Sequence, residues 1–167
     1  MKKAVVLLSG GLDSTVTAYC AKVDMGKKGE LFGLNFLYGQ LHNKEADYAR
    51  WTADFLGASL VGLDLDMQAL VDSALIGTGV VPEEETEGIP STWVPQRNSI
   101  FLALAFAYAE NIGADYVYTG FNVRDYSNYP DCRPQFIEAM NKALNLASKR
   151  FVESGRGIGI ITPLLYK

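Results

Sequence analysis

The sequence predicts an α/β fold in which a parallel sheet carries helices on its faces. Three observations predict it. The chain opens on a continuous apolar run, Ala4-Val5-Val6-Leu7-Leu8, as a strand buried on both faces requires. Strand and helix patterns then alternate as far as Leu65, the order that builds a parallel sheet. The first run also ends in Gly10-Gly11 with a helix pattern directly behind it, a turn placed where such sheets bind ligands.

Each element follows in order. The first helix is expected from about Ser14, with Val16, Tyr19, Cys20 and Val23 on one buried face. Leu31 to Leu37 reads as the second strand, closed by Tyr38-Gly39-Gln40. A second helix runs from about Asn43 to Leu56, with Ala46, Ala49, Ala53 and Leu56 at helical spacing, and Gly57 stops it. Ser59 to Leu65 is the third strand. Ile76 to Thr92 holds Gly77, Gly79, Pro82, Gly88 and Pro90 among four glutamates, which predicts a loop, either a solvated insertion or a lid. Asn98 to Asn111 is apolar almost all round and predicts a buried helix. Tyr116 to Thr119 is the fourth strand, followed by a polar, aromatic loop from Gly120 to Arg133. Pro134 suits the first turn of a helix that buries Ile137, Met140, Leu144 and Ala147. Gly155, Gly157 and Gly159 form a plain turn before a short last strand at Ile160-Ile161.

Bulk properties exclude several classes. The 167 residues, 49% hydrophobic and 20% charged, suit one globular domain with a proper core. A net charge of −4 argues against a general nucleic-acid binder, which needs a basic stripe. Cys20 and Cys132 have no partners at metal-ligand spacing, so the sequence offers neither a cysteine-rich zinc site nor a disulfide framework. No run approaches the roughly 20 apolar residues of a membrane span, and the run after Lys2-Lys3 is too short for a signal peptide. The cytoplasm is the expected compartment.

Ser9-Gly10-Gly11-Leu12-Asp13-Ser14 carries the chemistry. Two glycines let the backbone turn tightly and approach an anion. The helix behind them aims its first amides and its positive end at that anion, and Ser9, Ser14 and Thr15 add hydroxyls. Asp13, a carboxylate beside a phosphate site, makes sense if a divalent cation such as Mg²⁺ lies between them. A Walker-type loop is excluded because no lysine precedes the Ser-Thr pair, and a dinucleotide fingerprint is excluded because the third spaced glycine is missing.

This loop resembles the pyrophosphate loop of the N-type ATP pyrophosphatases, the PP-loop enzymes. The resemblance implies a three-layer α/β/α domain over residues 1–167, Rossmann-like and of the adenine nucleotide alpha hydrolase-like class. It implies that Leu8, Ser9, Gly10, Gly11, Leu12, Asp13, Ser14 and Thr15 hold ATP, with Mg²⁺ on Asp13. ATP is split between its α and β phosphates, a substrate oxygen is adenylated, and a nitrogen or sulfur nucleophile displaces AMP.

Three further segments narrow the resemblance: Tyr38-Gly39-Gln40-Leu41-His42-Asn43-Lys44-Glu45, Trp93-Val94-Pro95-Gln96-Arg97-Asn98, and the run from Gly120 to Pro134 with its Tyr126-Ser127-Asn128-Tyr129-Pro130-Asp131-Cys132-Arg133-Pro134 core. In this order they resemble the 7-cyano-7-deazaguanine synthases, nitrile-forming ligases of the queuosine pathway of tRNA modification. The implied substrates are 7-carboxy-7-deazaguanine and ammonia, with no direct nucleic-acid or membrane partner, and the implied assembly is a homodimer. The implied catalytic residues are Asp13, Ser14, Arg97 and His42. The implied substrate-binding residues are Tyr38, Gln40, Arg97, Asn98, Asp125, Tyr126, Tyr129, Asp131 and Arg133.

The residues themselves leave alternatives open. Arg97 could hold a phosphate or the substrate carboxylate as a fork donor, or be a surface arginine. Asn98 is equally a helix cap. His42 is the only histidine and suits a structural role as well as a catalytic one, and Cys132 reads as structural. A deazaguanine ring wants aromatic faces and a carboxylate for its amidine-like edge, which the Asp125–Arg133 loop could supply. The family continues after Pro163-Leu164-Leu165 into a segment with four zinc-binding cysteines, absent from this sequence. Zn²⁺ is therefore expected of the family but not of these residues, and the sequence reads as a C-terminal truncation or a short variant. The rival readings are an RNA-thiolating or amidating PP-loop enzyme and a protein-modifying relative. A thiolating enzyme should add a reactive cysteine pair and a basic RNA-binding appendage, and the sequence shows neither.

Overall fold

The computed structural model describes residues 2–39, 44–67, 89, 93–122 and 129–166. Five strands within them form a parallel sheet: β1 (Lys3–Leu7), β2 (Glu30–Leu37), β3 (Ser59–Asp64), β4 (Tyr116–Tyr118) and β5 (Gly159–Ile161). Their order is β3-β2-β1-β4-β5. The helices are α1 (Leu12–Met25), α2 (Lys44–Leu56), α3 (Arg97–Ile112), α4 (Pro134–Leu146) and α5 (Lys149–Ser154), with a 3-10 turn at Pro130–Cys132.

β1 explains why its sequence is apolar without alternation. Val5 packs with Leu34, Phe101, Leu102 and Val117 on one face. Ala4, Val6 and Leu8 pack with Ala18, Ala21, Ala49 and Ala53 on the other. Helices cover both faces, so each residue from Ala4 to Leu8 meets a core. α1 and α2 present alanines to the sheet, which lets them sit close to it.

α1 corrects the expected face. It buries Ser14, Thr17, Ala18, Ala21 and Met25. Val16, Tyr19 and Val23 point outward, together with Leu12, and Cys20 is only half-buried. Both stripes have helical spacing, and the smaller side chains won because they allow closer packing on the sheet. α4 is also corrected at one position: Asn145 is buried and Ala147 is exposed. Asn145 accepts from Ile158 N–H at 2.7 Å and donates to the Ile158 carbonyl at 2.9 Å, which steers the chain into β5. α5 was not anticipated; Ser148 caps it by accepting from Phe151 N–H. The Ile76–Thr92 loop, with its lid reading, lies outside the described residues except at Ile89.

The topology fixes the site. The chain steps outward from β1 through β2 to β3, then crosses back to lay β4 on the other side of β1. The direction of winding reverses between β1 and β4. A crevice opens at such a switch point, outside the carboxyl ends of the strands.

Candidate active site

Ser9 to Ser14 occupies the crevice. Gly10 has φ +96°, a conformation that L side chains rarely adopt, and a Cβ there would collide with the Glu45 carbonyl oxygen at the start of α2. Ser14 Oγ accepts from Gly10 N–H at 3.1 Å and donates to the Gly11 carbonyl at 2.9 Å. Ser9 Oγ donates to Ser14 Oγ at 3.0 Å and accepts from Gly11 N–H at 3.2 Å. The loop is thus held by its own serines, while Gly11 caps α1 with no side-chain bond to the helix amides. First-turn amides have no intrahelical partner, so this helix end suits an anion.

Two contacts fasten the loop to the sheet. The Asn35 amide in β2 donates to the Leu8 carbonyl at 2.8 Å and to the Ser9 carbonyl at 3.4 Å. Gly120, just past β4, lies so close that a Cβ would stand 3.0–3.1 Å from the Asp13–Ser14 peptide. β4 therefore meets the loop directly at the switch point.

The other end of the cleft is aromatic and cationic. Arg97 Nη1 donates to the Tyr38 hydroxyl at 3.3 Å, and its guanidinium lies 5.8 Å from the ring centroids of both Tyr38 and Tyr129. Phe36 and Phe101 stack at 4.3 Å, and Tyr38 packs on Phe101 at 5.3 Å. Gln96, with φ 59°, turns the chain into α3 so that Arg97 starts the helix at the cleft. Asp131 Oδ2 accepts from Asn98 N–H at 3.1 Å. The Asn98 side chain donates to the Asp131 carbonyl at 3.3 Å and to Cys132 Sγ at 3.2 Å. These bonds tie the 3-10 turn to the first turn of α3.

Leu8, Ser9, Asp13 and Ser14 line the same cleft as Tyr38, Arg97 and Asn98, so the structure brings together the loop and the first two flanking segments. Gly10 and Gly11 form the turn beneath it, while Thr15 donates its N–H to the Gly11 carbonyl at 3.0 Å and Leu12 is exposed. Tyr129 joins through Arg97. Asp131 is buried against Asn98, and Arg133 is exposed at the start of α4. Gln40, His42, Asp125 and Tyr126 lie outside the described residues. Asn35, Glu45, Thr119 and Gly120 were given no role in the sequence reading, although all but Asn35 line the cleft. A polar Asn35 in the middle of an apolar strand was the available signal. Among the described residues, no three of His, Cys, Asp and Glu gather as a metal site, and no helix is long and apolar enough to cross a membrane.

The family model described as Queuosine biosynthesis protein QueC matches residues 3–167. The 7-cyano-7-deazaguanine synthase of Clostridium kluyveri is 48% identical, over 100% of this chain and 74% of its own length. That of Azotobacter vinelandii is 47% identical, over 98% of this chain and 72% of its own. Two solved structures share the fold. The predicted subunit of tRNA methyltransferase from Methanocaldococcus jannaschii has a TM-score of 0.58 at 19% identity, covering 99% of this chain and 69% of that one. The U34-tRNA thiolase NcsA from Methanococcus maripaludis has 0.57 at 17%, covering 99% and 52%. At such identities the likeness speaks to fold alone.

Proposed function

The chain belongs to the QueC family of queuosine biosynthesis proteins, and from that premise we propose that it is a carbon–nitrogen ligase, a 7-cyano-7-deazaguanine synthase. The reaction joins 7-carboxy-7-deazaguanine and ammonia at the expense of two ATP, giving the nitrile, two AMP and two pyrophosphates. The first adenylation activates the acid, and ammonia displaces AMP to give the amide. The second activates the amide oxygen. Loss of AMP and a proton then leaves the nitrile.

One observation carries this reading: a single cleft joins the Ser9–Ser14 loop to the Arg97–Tyr38 end. Both adenylations need an α-phosphate beside the substrate oxygen while the pyrophosphate is neutralised. The amides that open α1 receive the pyrophosphate, and Ser14, whose hydroxyl donates to the Gly11 carbonyl, holds the turn that presents them. Arg97, braced by Tyr38, holds the reacting carboxylate or the α-phosphate as a fork donor. Tyr38 and Tyr129 offer faces to the deazaguanine ring. The carboxylate for the ring's amidine-like edge falls to Asp125, with Tyr126, Gln40 and His42 as its companions around the substrate. Asn98 and Asp131 serve the site by fixing where Arg97 stands, and Arg133 serves from the rim.

Asp13 fits Mg²⁺, which takes one or two carboxylates together with phosphate oxygens, and its chemistry would be to neutralise charge on the phosphates. The described residues do not fit zinc, since no thiolate cluster is present among them.

The assembly we propose is a homodimer acting in the cytoplasm. Leu12, Val16, Tyr19 and Val23 on α1 and Tyr48, Trp51 and Phe55 on α2 are all exposed, with Tyr19 and Trp51 both packed on Phe55. Exposed apolar side chains gathered in this way mark surfaces that meet a partner. Sedimentation of wild type and Trp51→Glu tests it: a dimer that dissociates in the variant supports the interface, and a wild-type monomer rejects it.

The activity is tested by supplying ATP, Mg²⁺, ammonia and 7-carboxy-7-deazaguanine. AMP, pyrophosphate and the nitrile are expected. ADP in place of AMP, or AMP without nitrile, would sink the reading.

A further inference from the structure

The phosphate end of the cleft is lined by two carboxylates and no cation. Asp13 and Glu45 both line it, and the only charged group of opposite sign on the cleft wall among the described residues, Arg97, stands at the aromatic end. Neither carboxylate forms a hydrogen bond or ion pair within the described residues. Glu45 belongs to the first turn of α2, and its Oε1 lies 4.0 Å from where a Cβ on Gly11 would be. Its main-chain carbonyl stands where a Cβ on Gly10 would be, so α2 begins directly against the loop. The same cleft holds an independent sign of a missing ligand. Thr119 is fully buried, lines the cleft, and its Oγ1 has no hydrogen-bond partner among the described residues. Buried hydroxyls are rarely left unmade, because the desolvation is not returned. Valine would fill the same shape without that loss.

Electrostatics turns these facts into a requirement. The nucleotide proposed above is a polyanion, and two unpaired carboxylates beside its phosphates would repel it. An intervening divalent cation reverses the sign of both contacts. We propose that Glu45 is the second carboxylate of the Asp13 cation site: Asp13 from α1 and Glu45 from α2 would together hold Mg²⁺, which would neutralise charge on the ATP phosphates. Thr119 Oγ1 closes the polar shell from the β4 side, toward a phosphate oxygen or a cation-bound water. The proposal rests on the ATP-binding reading and adds to it a named ligand and a direction for the effect of metal.

That direction is the test. ATP binding to the full chain is titrated calorimetrically in excess EDTA and in excess Mg²⁺, for wild type and Glu45→Gln, without acid or ammonia. Wild type is expected to bind more tightly with Mg²⁺. Glu45→Gln is expected to lose at least about tenfold of that gain, the scale on which metal-site residues act. In EDTA the variant is expected to bind ATP as well as wild type or better, because a repelling charge is gone. That arm also reports that the variant is folded. A Glu45→Gln protein with the full Mg²⁺ gain overturns the proposal. So does one weakened equally in both buffers, which would mark a structural role. Bound Mn²⁺, counted by electron paramagnetic resonance with ATP present, gives a second readout and is expected to weaken in Glu45→Gln and in Glu45→Ala. If wild type binds no ATP in either buffer, the ATP reading itself fails, a result distinct from the failure of Glu45.

Discussion

The side-chain amide of Asn35 donates to the main-chain carbonyl of Leu8 across 2.8 Å, joining residues 27 apart in sequence. Asn35 is buried in β2, and Leu8 is the last residue before the phosphate loop. The bond gives the Leu8 carbonyl a partner where the regular ladder ends. It also stops the loop from lifting off the sheet. Asn35→Leu removes the donor and leaves that carbonyl buried and unmatched, which costs about 1–3 kcal/mol. The urea midpoint should fall accordingly. ATP affinity should fall as well at temperatures where the variant is fully folded, because the loop loses its anchor. An unchanged midpoint would show that the bond does not hold the loop.

The buried Asp131 carboxylate does for α3 what a capping side chain usually does from within the same chain segment. It accepts from Asn98 N–H in the helix's first turn, from 33 residues away. Asp131→Ala should lower stability by about 1–2 kcal/mol, the range for a lost helix cap. Because Arg97 precedes Asn98, the variant should also raise KM by loosening the helix start. Thermal unfolding and steady-state kinetics check the two parts. A stable variant with unaltered kinetics would mean that the turn and the helix are held apart from this contact.

These two bonds also mark the limit of what the sequence shows. The parallel sheet was legible because β1 is apolar on both faces, and its two cores bear that out. The phosphate loop was legible because strand, glycines and helix are contiguous. The Asn35 tie and the Asp131 cap join segments distant in sequence, and no local pattern encodes them. The outward face of α1 failed for another reason. Two stripes of equal period compete on that helix, and periodicity cannot rank Leu12, Val16, Tyr19 and Val23 against Ser14, Thr17, Ala18 and Ala21. Close packing on the sheet chose the smaller set. Glu45 was quoted within a motif yet given no part, since only the fold brings the start of α2 onto Gly10.

Arg97 offers a test of geometry against charge. Its guanidinium is braced by the Tyr38 hydroxyl and lies 5.8 Å from the centroids of both the Tyr38 and Tyr129 rings. Arg97→Lys keeps the charge but loses the planar fork and its stacking. Turnover should fall by roughly 100-fold or more, the loss seen when an oriented donor to a developing charge is removed. The unfolding midpoint should barely move, because the arginine faces a cleft. Substantial activity in the lysine variant would mean that charge alone suffices at this position.

Glu110 makes stability depend on pH at a place remote from the cleft. Its carboxylate accepts from Arg150 N–H at 3.0 Å and from the Ser148 hydroxyl at 2.9 Å. The Arg150 amide first, and then the Ser148 hydroxyl, hold its pKa below the ordinary 4.5. A carboxyl whose folded pKa is lowered favours folding wherever the unfolded chain would bind more protons. Its stabilising effect is therefore fully present above about pH 4.5 and is lost as the pH falls through the lower, folded value. Glu110→Gln keeps an acceptor oxygen but not the charge. The variant should unfold at a lower temperature than wild type at pH 7, and the gap should narrow progressively as the pH falls below about 4.5. Thermal midpoints measured from pH 7 downward decide it. A gap that does not narrow on acidification would assign the loss to packing, and no gap at pH 7 would leave the start of α5 secured by Ser148 alone.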